Sequence, residues 1–178
     1  MTQEFATLKR AGGFVQATFV RISDQDLAKV WAMLTQSAQL PLWLAPGEIQ
    51  LHKGGAAKIS FIDSGTIIDS IVSELEPGRM LEYSWSAPGQ PARPVRWALD
   101  ATSRGTQITL TVSTPETEDV ARSAAGWEAH LDMLQAALEG VPIKFPFKRF
   151  QTARDDYRTR IPESASVPGI EQSTPGSA

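Results

Sequence analysis

Between Val120 and Leu138, the residues Val120, Ala124, Trp127, Leu131, Leu134 and Leu138 recur at intervals of four and three. That spacing lays one apolar stripe along a helix of about 3.6 residues per turn. Arg122, Glu128, Asp132 and Glu139 fall off the stripe and are expected to face water. Gly140 tolerates a left-handed cap and Pro142 cannot continue the helix, so the helix ends there. A helix of this kind is built to lie along an apolar surface.

The preceding chain supplies one. Phe14 to Ile22 is mostly apolar and reads as a strand, and Ser23-Asp24 offers side-chain oxygens to cap a first helix. Leu27, Val30, Trp31 and Leu34 carry that helix to about Thr35. A second short helix bears Leu40, Leu42, Trp43 and Leu44, kept brief by Pro41 and Pro46. From Glu48 to Val112 the period changes to two. Ala57, Ile59 and Phe61 alternate with polar residues, as do Leu81, Tyr83 and Trp85, then Val95, Trp97 and Leu99, then Ile108, Leu110 and Val112. Turns are expected at Lys53-Gly54-Gly55, at Glu76-Pro77-Gly78-Arg79 and at Ser103-Arg104-Gly105, and a loop over Ala87 to Pro94. Between Thr66 and Leu75, Ile67, Ile68, Ile71 and Val72 break the alternation, through a bulge or a strand apolar on both faces. Strands joined by tight turns are neighbours, so five or six of them form a curved antiparallel sheet, and only the Val120 helix is long enough to cover its concave face. The fold class is α+β.

Composition adds limits. The chain has 178 residues, 42% apolar and 21% charged, which suits one globular domain with something appended. The domain covers residues 1–140. Residues 141–161 are basic and aromatic, with Phe147, Phe150, Tyr157 and Ile161 on one face if helical, and are expected to dock on the body. Residues 162–178 are rich in Ser, Pro and Gly and read as a flexible tail. A net charge of −3 points to neither nucleic acid nor an anionic membrane, and no stretch approaches the roughly 20 apolar residues of a membrane span. There is no cysteine, and Met1 to Arg10 is no secretory signal, so a cytoplasmic location is the default.

The order Val30-Trp31 with Leu34-Thr35, Leu42-Trp43-Leu44, Gly54-Gly55, Gly65-Thr66-Ile67, then Glu76-Pro77 leading into Arg79, Leu81, Tyr83 and Trp85 carries a resemblance. Val95, Trp97, Leu99, Gly105-Thr106 and Gly126-Trp127 with Leu131, Leu134 and Leu138 complete it. From Phe14 to about Gly140 the chain resembles the SRPBCC or START-like superfamily. Within it, the chain is similar to bacterial relatives of the activator of the ninety-kilodalton heat-shock chaperone ATPase. The resemblance implies a helix-grip fold with a cavity between sheet and long helix, and binding of apolar or amphipathic small molecules. In parts of the superfamily it implies cyclase, hydratase or oxygenase-subunit chemistry. The basic segment after Gly140 is outside the family pattern.

Candidate site residues are few. Trp85, Trp97 and Trp127 either line a pocket or fill the core, while Trp31 and Trp43 read as core. Asp69 is in phase with Ile67 and Ile71. Its carboxylate either points with an apolar row, where burial would raise its pKa, or is turned outward by the bulge. The Tyr83 hydroxyl orients a ligand or is satisfied by packing. His130 lies on a flank of the stripe with Ser123 and Gly126, at a cavity mouth or in solvent. His52 sits in a turn. No ligand set for a metal, phosphate-cradling loop, nucleophile elbow or cofactor motif is recognisable. Three functions remain open. One is an apolar-ligand binder without catalysis, the second a cyclase- or hydratase-like enzyme using Asp69, Tyr83 or His130, and the third a module that docks on a chaperone through its acidic body.

Overall fold

The computed structural model describes residues 5–161 and opens with a strand that the hydrophobic pattern does not announce. β1 (Thr7–Ala11) is short and mostly exposed, and pairs antiparallel with β2 (Phe14–Ser23) across Gly12-Gly13. Such a polar edge strand has no buried face to impose alternation, which is why the pattern is silent there. α1 (Leu27–Thr35) follows, capped not by Ser23 or Asp24 but by Asp26, whose side chain accepts the Lys29 N–H at 2.9 Å. Ser23 is the last residue of β2 and closes a local turn with the Gln25 N–H. A 3-10 turn (Leu40–Leu42) leads into β3 (Gly47–Ile49), β4 (Ala56–Ser60), β5 (Ile67–Glu76), β6 (Met80–Ser84), β7 (Pro94–Thr102) and β8 (Gly105–Pro115). Two helices close the described chain, α2 (Val120–Leu138) and α3 (Phe147–Arg160).

The eight strands form one antiparallel sheet in the order β1-β2-β8-β7-β6-β5-β4-β3. Every pairing joins sequential neighbours except β2 with β8, which brings the start of the fold beside its last strand. Tyr83, Trp97, Leu99, Leu110 and Val112 from the sheet share one core with α2, and all six residues of the α2 stripe are buried. This is the expected sheet gripping a helix. In β5 both explanations of the broken alternation hold. The register shifts between Val72 and Glu74, and upstream of that bulge Ile68 and Val72 are buried while Ile67 and Ile71 are 58% and 60% exposed on the other face. Gly105 has φ 139°, and a Cβ there would lie 2.2 Å from the Ser23 carbonyl oxygen, so the β7–β8 turn presses against the end of β2. Gly78 also has positive φ, 76°, but open space around it.

α2 is covered on a second side as well. Ala125 and Ala129 are fully buried, and α3 packs along α2 with Ala153 and Tyr157 buried and Phe150 and Ile161 half-buried. Phe147, expected on that docked face, is instead 68% exposed at the first turn of α3, with its ring against Phe145. The second cover overturns part of the reading of the off-stripe positions. Arg122 and Glu139 do face water, but Glu128 is fully buried and Asp132 is half-buried beside Arg149. The expected tail, residues 162–178, lies outside the described residues.

Candidate functional site

A continuous row of edge-to-face rings runs through the grip. Trp43 meets Trp97 at 5.6 Å, Trp97 meets Trp127 at 5.9 Å, Trp127 meets Trp85 at 4.8 Å, and Trp85 meets Phe61 at 5.9 Å. The inner end is plain core. Trp97 is 1% exposed, and Trp43 donates its indole N–H to the Met33 carbonyl at 2.8 Å. Tyr83 is equally buried. Its phenol oxygen accepts the Trp97 indole N–H, and burial pushes its pKa up despite that bond. These bulky rings pack against one another between sheet and helix, where the resemblance implies a cavity. Two open surface clefts, of about 530 and 420 Å³, both lie against α1 and away from these rings.

The outer end of the row is half-buried and forms an aromatic corner. Phe61, at the end of the β4 hairpin arm, and Trp85, just past β6, stand beside Trp127 and His130 of α2. Phe145, from the segment between α2 and α3, closes the ring set with its centroid 5.6 Å from the imidazole. Gly126 borders the corner one turn before His130, and a Cβ there would meet nothing within 4 Å. A glycine inside a helix costs about 1 kcal/mol relative to alanine, and here no close contact offsets it. What the missing side chain leaves is open space on the same flank as Ser123 and His130.

Two polar devices frame this corner. Arg93, in the loop between β6 and β7, donates Nε to Glu118 at 2.5 and 2.9 Å and so straps that loop to the turn before α2. The Ser123 hydroxyl is shared with that of Thr114 at 3.1 Å, which ties the flank of α2 to β8. His130 places Nδ1 3.1 Å from the Trp43 carbonyl oxygen. A carbonyl can only accept, so Nδ1 carries the proton. Burial pushes the His130 pKa below its ordinary value, with the Trp43 hydrogen bond opposing, and the imidazole is neutral at pH 7.

The sequence-derived candidates thus separate. Trp85, Trp127, Gly126 and His130 come together at the corner, with Ser123 beside them on the helix. Trp97 and Tyr83 belong to the packed interior. Asp69 does not join: it shares the face of exposed Ile67 and Ile71, while inward Ile68 and Val72 hold the core side of β5. Sequence reading missed Phe61, treated as one more strand residue, and Phe145, which lies outside any helical phase between Lys144 and Pro146. Among the described residues no group of three or more His, Cys, Asp or Glu could hold a metal ion. None of the described helices is long and apolar enough to cross a membrane.

On the opposite flank of α2 lies a buried polar cluster. Arg21 of β2 and Glu128 are ion-paired with side chains 2% and 0% exposed. Tyr157 of α3 donates its hydroxyl to Glu128 Oε1 at 2.5 Å, and the Ala6 N–H reaches Tyr157 Oη at 2.7 Å. Burial, with the Glu128 hydrogen bond and charge, pushes the Tyr157 phenol up. Arg149 adds a second cation, 3.7 Å from Glu128 and 3.4 Å from Asp132. The Arg21–Glu128 pair at its centre is closed off from solvent, and the cluster ties β2, α2, α3 and Ala6 together.

Comparison with known proteins agrees with this architecture. CalU16 from Micromonospora echinospora superposes with a TM-score of 0.67 at 21% identity, over 87% of this chain and 93% of that one. A conserved protein of unknown function, EF2215 from Enterococcus faecalis, does so at 0.73 and 18%, over 88% and 92%. DynU16, a putative protein in the dynemicin biosynthetic locus, is 26% identical with a TM-score of 0.64. That match covers 74% of this chain and about half, 49%, of DynU16. No curated protein matches the chain. The family pattern described as "Activator of Hsp90 ATPase homolog 1-like protein" matches residues 24–139, from the approach to α1 through the end of α2. With its helix-grip architecture and that match, the chain belongs to the AHSA1-like family.

Proposed function

We propose that the protein binds an apolar, ring-bearing small molecule at the aromatic corner and does not itself transform it. The observation that carries this reading is the open space at Gly126, on the same flank of α2 as His130, whose imidazole stands among Phe61, Trp127 and Phe145 with Trp85 against Trp127 and Phe61. Concave apolar sites with a few oriented polar groups are the common form of small-molecule sites. Binding at an edge of the grip, rather than deep inside it, accommodates the filled interior. Of the residues offered for the enzymatic alternative, Asp69, Tyr83 or His130, only His130 stands at the corner.

The test is titration with N-phenyl-1-naphthylamine, an uncharged fluorescent probe. Saturable binding at one site per chain is expected, with quenching of tryptophan emission. Gly126→Leu fills the gap with a good helix former and should weaken binding at least tenfold while the far-UV spectrum is kept. Gly78→Ala, in a distant turn, should not. Undiminished binding by Gly126→Leu would place the ligand elsewhere.

A further inference from the structure

The corner contains a hydrogen-bond acceptor without a use in the fold. His130 Nδ1 donates to the Trp43 carbonyl, which fixes both the tautomer and the orientation of the ring. Nε2 therefore carries a lone pair, and it has no hydrogen-bond partner among the described residues. Nor is it sealed away. Among the described residues the buried side-chain nitrogens and oxygens lacking a partner are Arg21 Nε, Arg149 Nη2 and Arg154 Nε; Nε2 of this half-buried histidine is not one of them and so keeps some exposure. Around the imidazole stand Phe61 at 5.8 Å, Trp127 at 6.1 Å and Phe145 at 5.6 Å, at interplanar angles between 59° and 68°. None of the described ion pairs includes His130. The nearest such pairs on its helix, Glu128 with Arg21 and Asp132 with Arg149, belong to the other flank of α2.

We infer that His130 Nε2 is the hydrogen-bond acceptor for the ligand, and that the ligand class is therefore a planar aromatic compound bearing a neutral O–H donor, a phenol. This rests on the binding reading above and deepens it. The three rings offer edge and face contacts to another ring, and such pairs favour offset or edge-to-face approach. A neutral acceptor fixed from behind by a backbone carbonyl selects for a donor and disfavours an isostere that lacks one. Without the donor, Nε2 would lose its water and gain nothing. Held as a neutral acceptor, the imidazole accepts this proton in a hydrogen bond and need not take it.

The experiment compares 1-naphthol with 1-methoxynaphthalene, which keeps the fused rings and oxygen but cannot donate. Wild-type protein should bind 1-naphthol about 3- to 10-fold more tightly, the worth of one hydrogen bond, although the methyl ether is the more apolar compound. His130→Asn keeps a side-chain N–H for the Trp43 carbonyl and takes away Nε2, its own carboxamide oxygen reaching only to about the imidazole Cδ2 position, and His130→Phe keeps the ring without any acceptor. In both, the preference should vanish or reverse while 1-methoxynaphthalene still binds. Because His52 is the only other histidine, long-range proton–nitrogen spectra of wild-type protein give a readout independent of either variant's folding. The Nε2 resonance of His130 should move with 1-naphthol and stay put with the ether. Equal affinities in wild type, or a preference that survives in both variants, would overturn the assignment of His130 and leave ligand binding standing. No saturable binding of either compound would overturn both.

Discussion

Replacing Glu128 with alanine should destabilise the fold by stripping a buried cation of its counter-charge. Among the described residues the carboxylate is the only anion paired with Arg21, whose side chain is 2% exposed, and Arg21 Nε has no partner there. It is also the acceptor for the Tyr157 hydroxyl at 2.5 Å. Removing it leaves a guanidinium inside the protein without its counter-charge. Breaking a buried pair by deleting one partner costs about 3–5 kcal/mol, most of it from the stranded charge. For a chain of this size each 1 kcal/mol lowers Tm by about 2–4 °C, so the expected drop is roughly 6–20 °C. The control is Arg21→Met with Glu128→Leu. Apolar replacement of both partners of a buried pair is often neutral, so the double variant should recover most of the loss. Urea unfolding at pH 7, followed by far-UV circular dichroism, measures both. A loss below about 1 kcal/mol in Glu128→Ala, or a double variant no more stable than the single, would refute the argument that burial makes this pair matter.

Gly105→Ala should destabilise far more than Gly78→Ala. Both positions have positive φ, but only at Gly105 would the new Cβ strike backbone, at 2.2 Å from the Ser23 carbonyl; equal urea midpoints would count against this. A chain ended after Ile161 keeps every described contact of α3 and should melt with the full chain. One ended after Gly140 uncovers Glu128, Ala125 and Ala129 and should melt lower, which calorimetry of the two truncations decides. For His130 the folded pKa lies below the ordinary value of 6.5, because burial disfavours the imidazolium. The unfolded chain therefore binds a proton that the folded chain refuses, and stability falls as pH drops from about 6.5 toward the folded value. His130→Asn should flatten that slope, and an unchanged slope between pH 7 and 5.5 would contradict it.

The grip was legible because its two parts obey strict periods. The six-residue stripe of α2 and the alternation in β6, β7 and β8 each report a single buried face, and all of those faces are buried. What periodicity does not report is a second cover. Glu128 reads as solvated because charge off the stripe normally is, yet Ala121, Ala125 and Ala129 mark a second, small-residue row on which α3 settles. Asp69 shows the same limit from the other side. Its phase with Ile67 and Ile71 is real, but those isoleucines are the exposed ones. The aromatic corner was half legible. Trp85 continues the alternation of β6, and Gly126, Trp127 and His130 lie on α2, so their phase can be counted, whereas Phe145 reaches the imidazole from irregular chain that no period describes.

The bonds around Ala6 also set an order of events. Its N–H meets Glu128 and Tyr157 across 122 and 151 residues of chain, and its carbonyl meets Arg160 across 154. Closing such loops before other contacts form carries the largest entropic cost in the molecule. As the chain leaves the ribosome, the hairpins of the sheet and then α2 emerge while Arg21 and Glu128 still lack their cover. Only after Arg160 has appeared can the first strand, the last helix and the charged pair beneath them lock together, so the final step of folding waits for the end of the described chain.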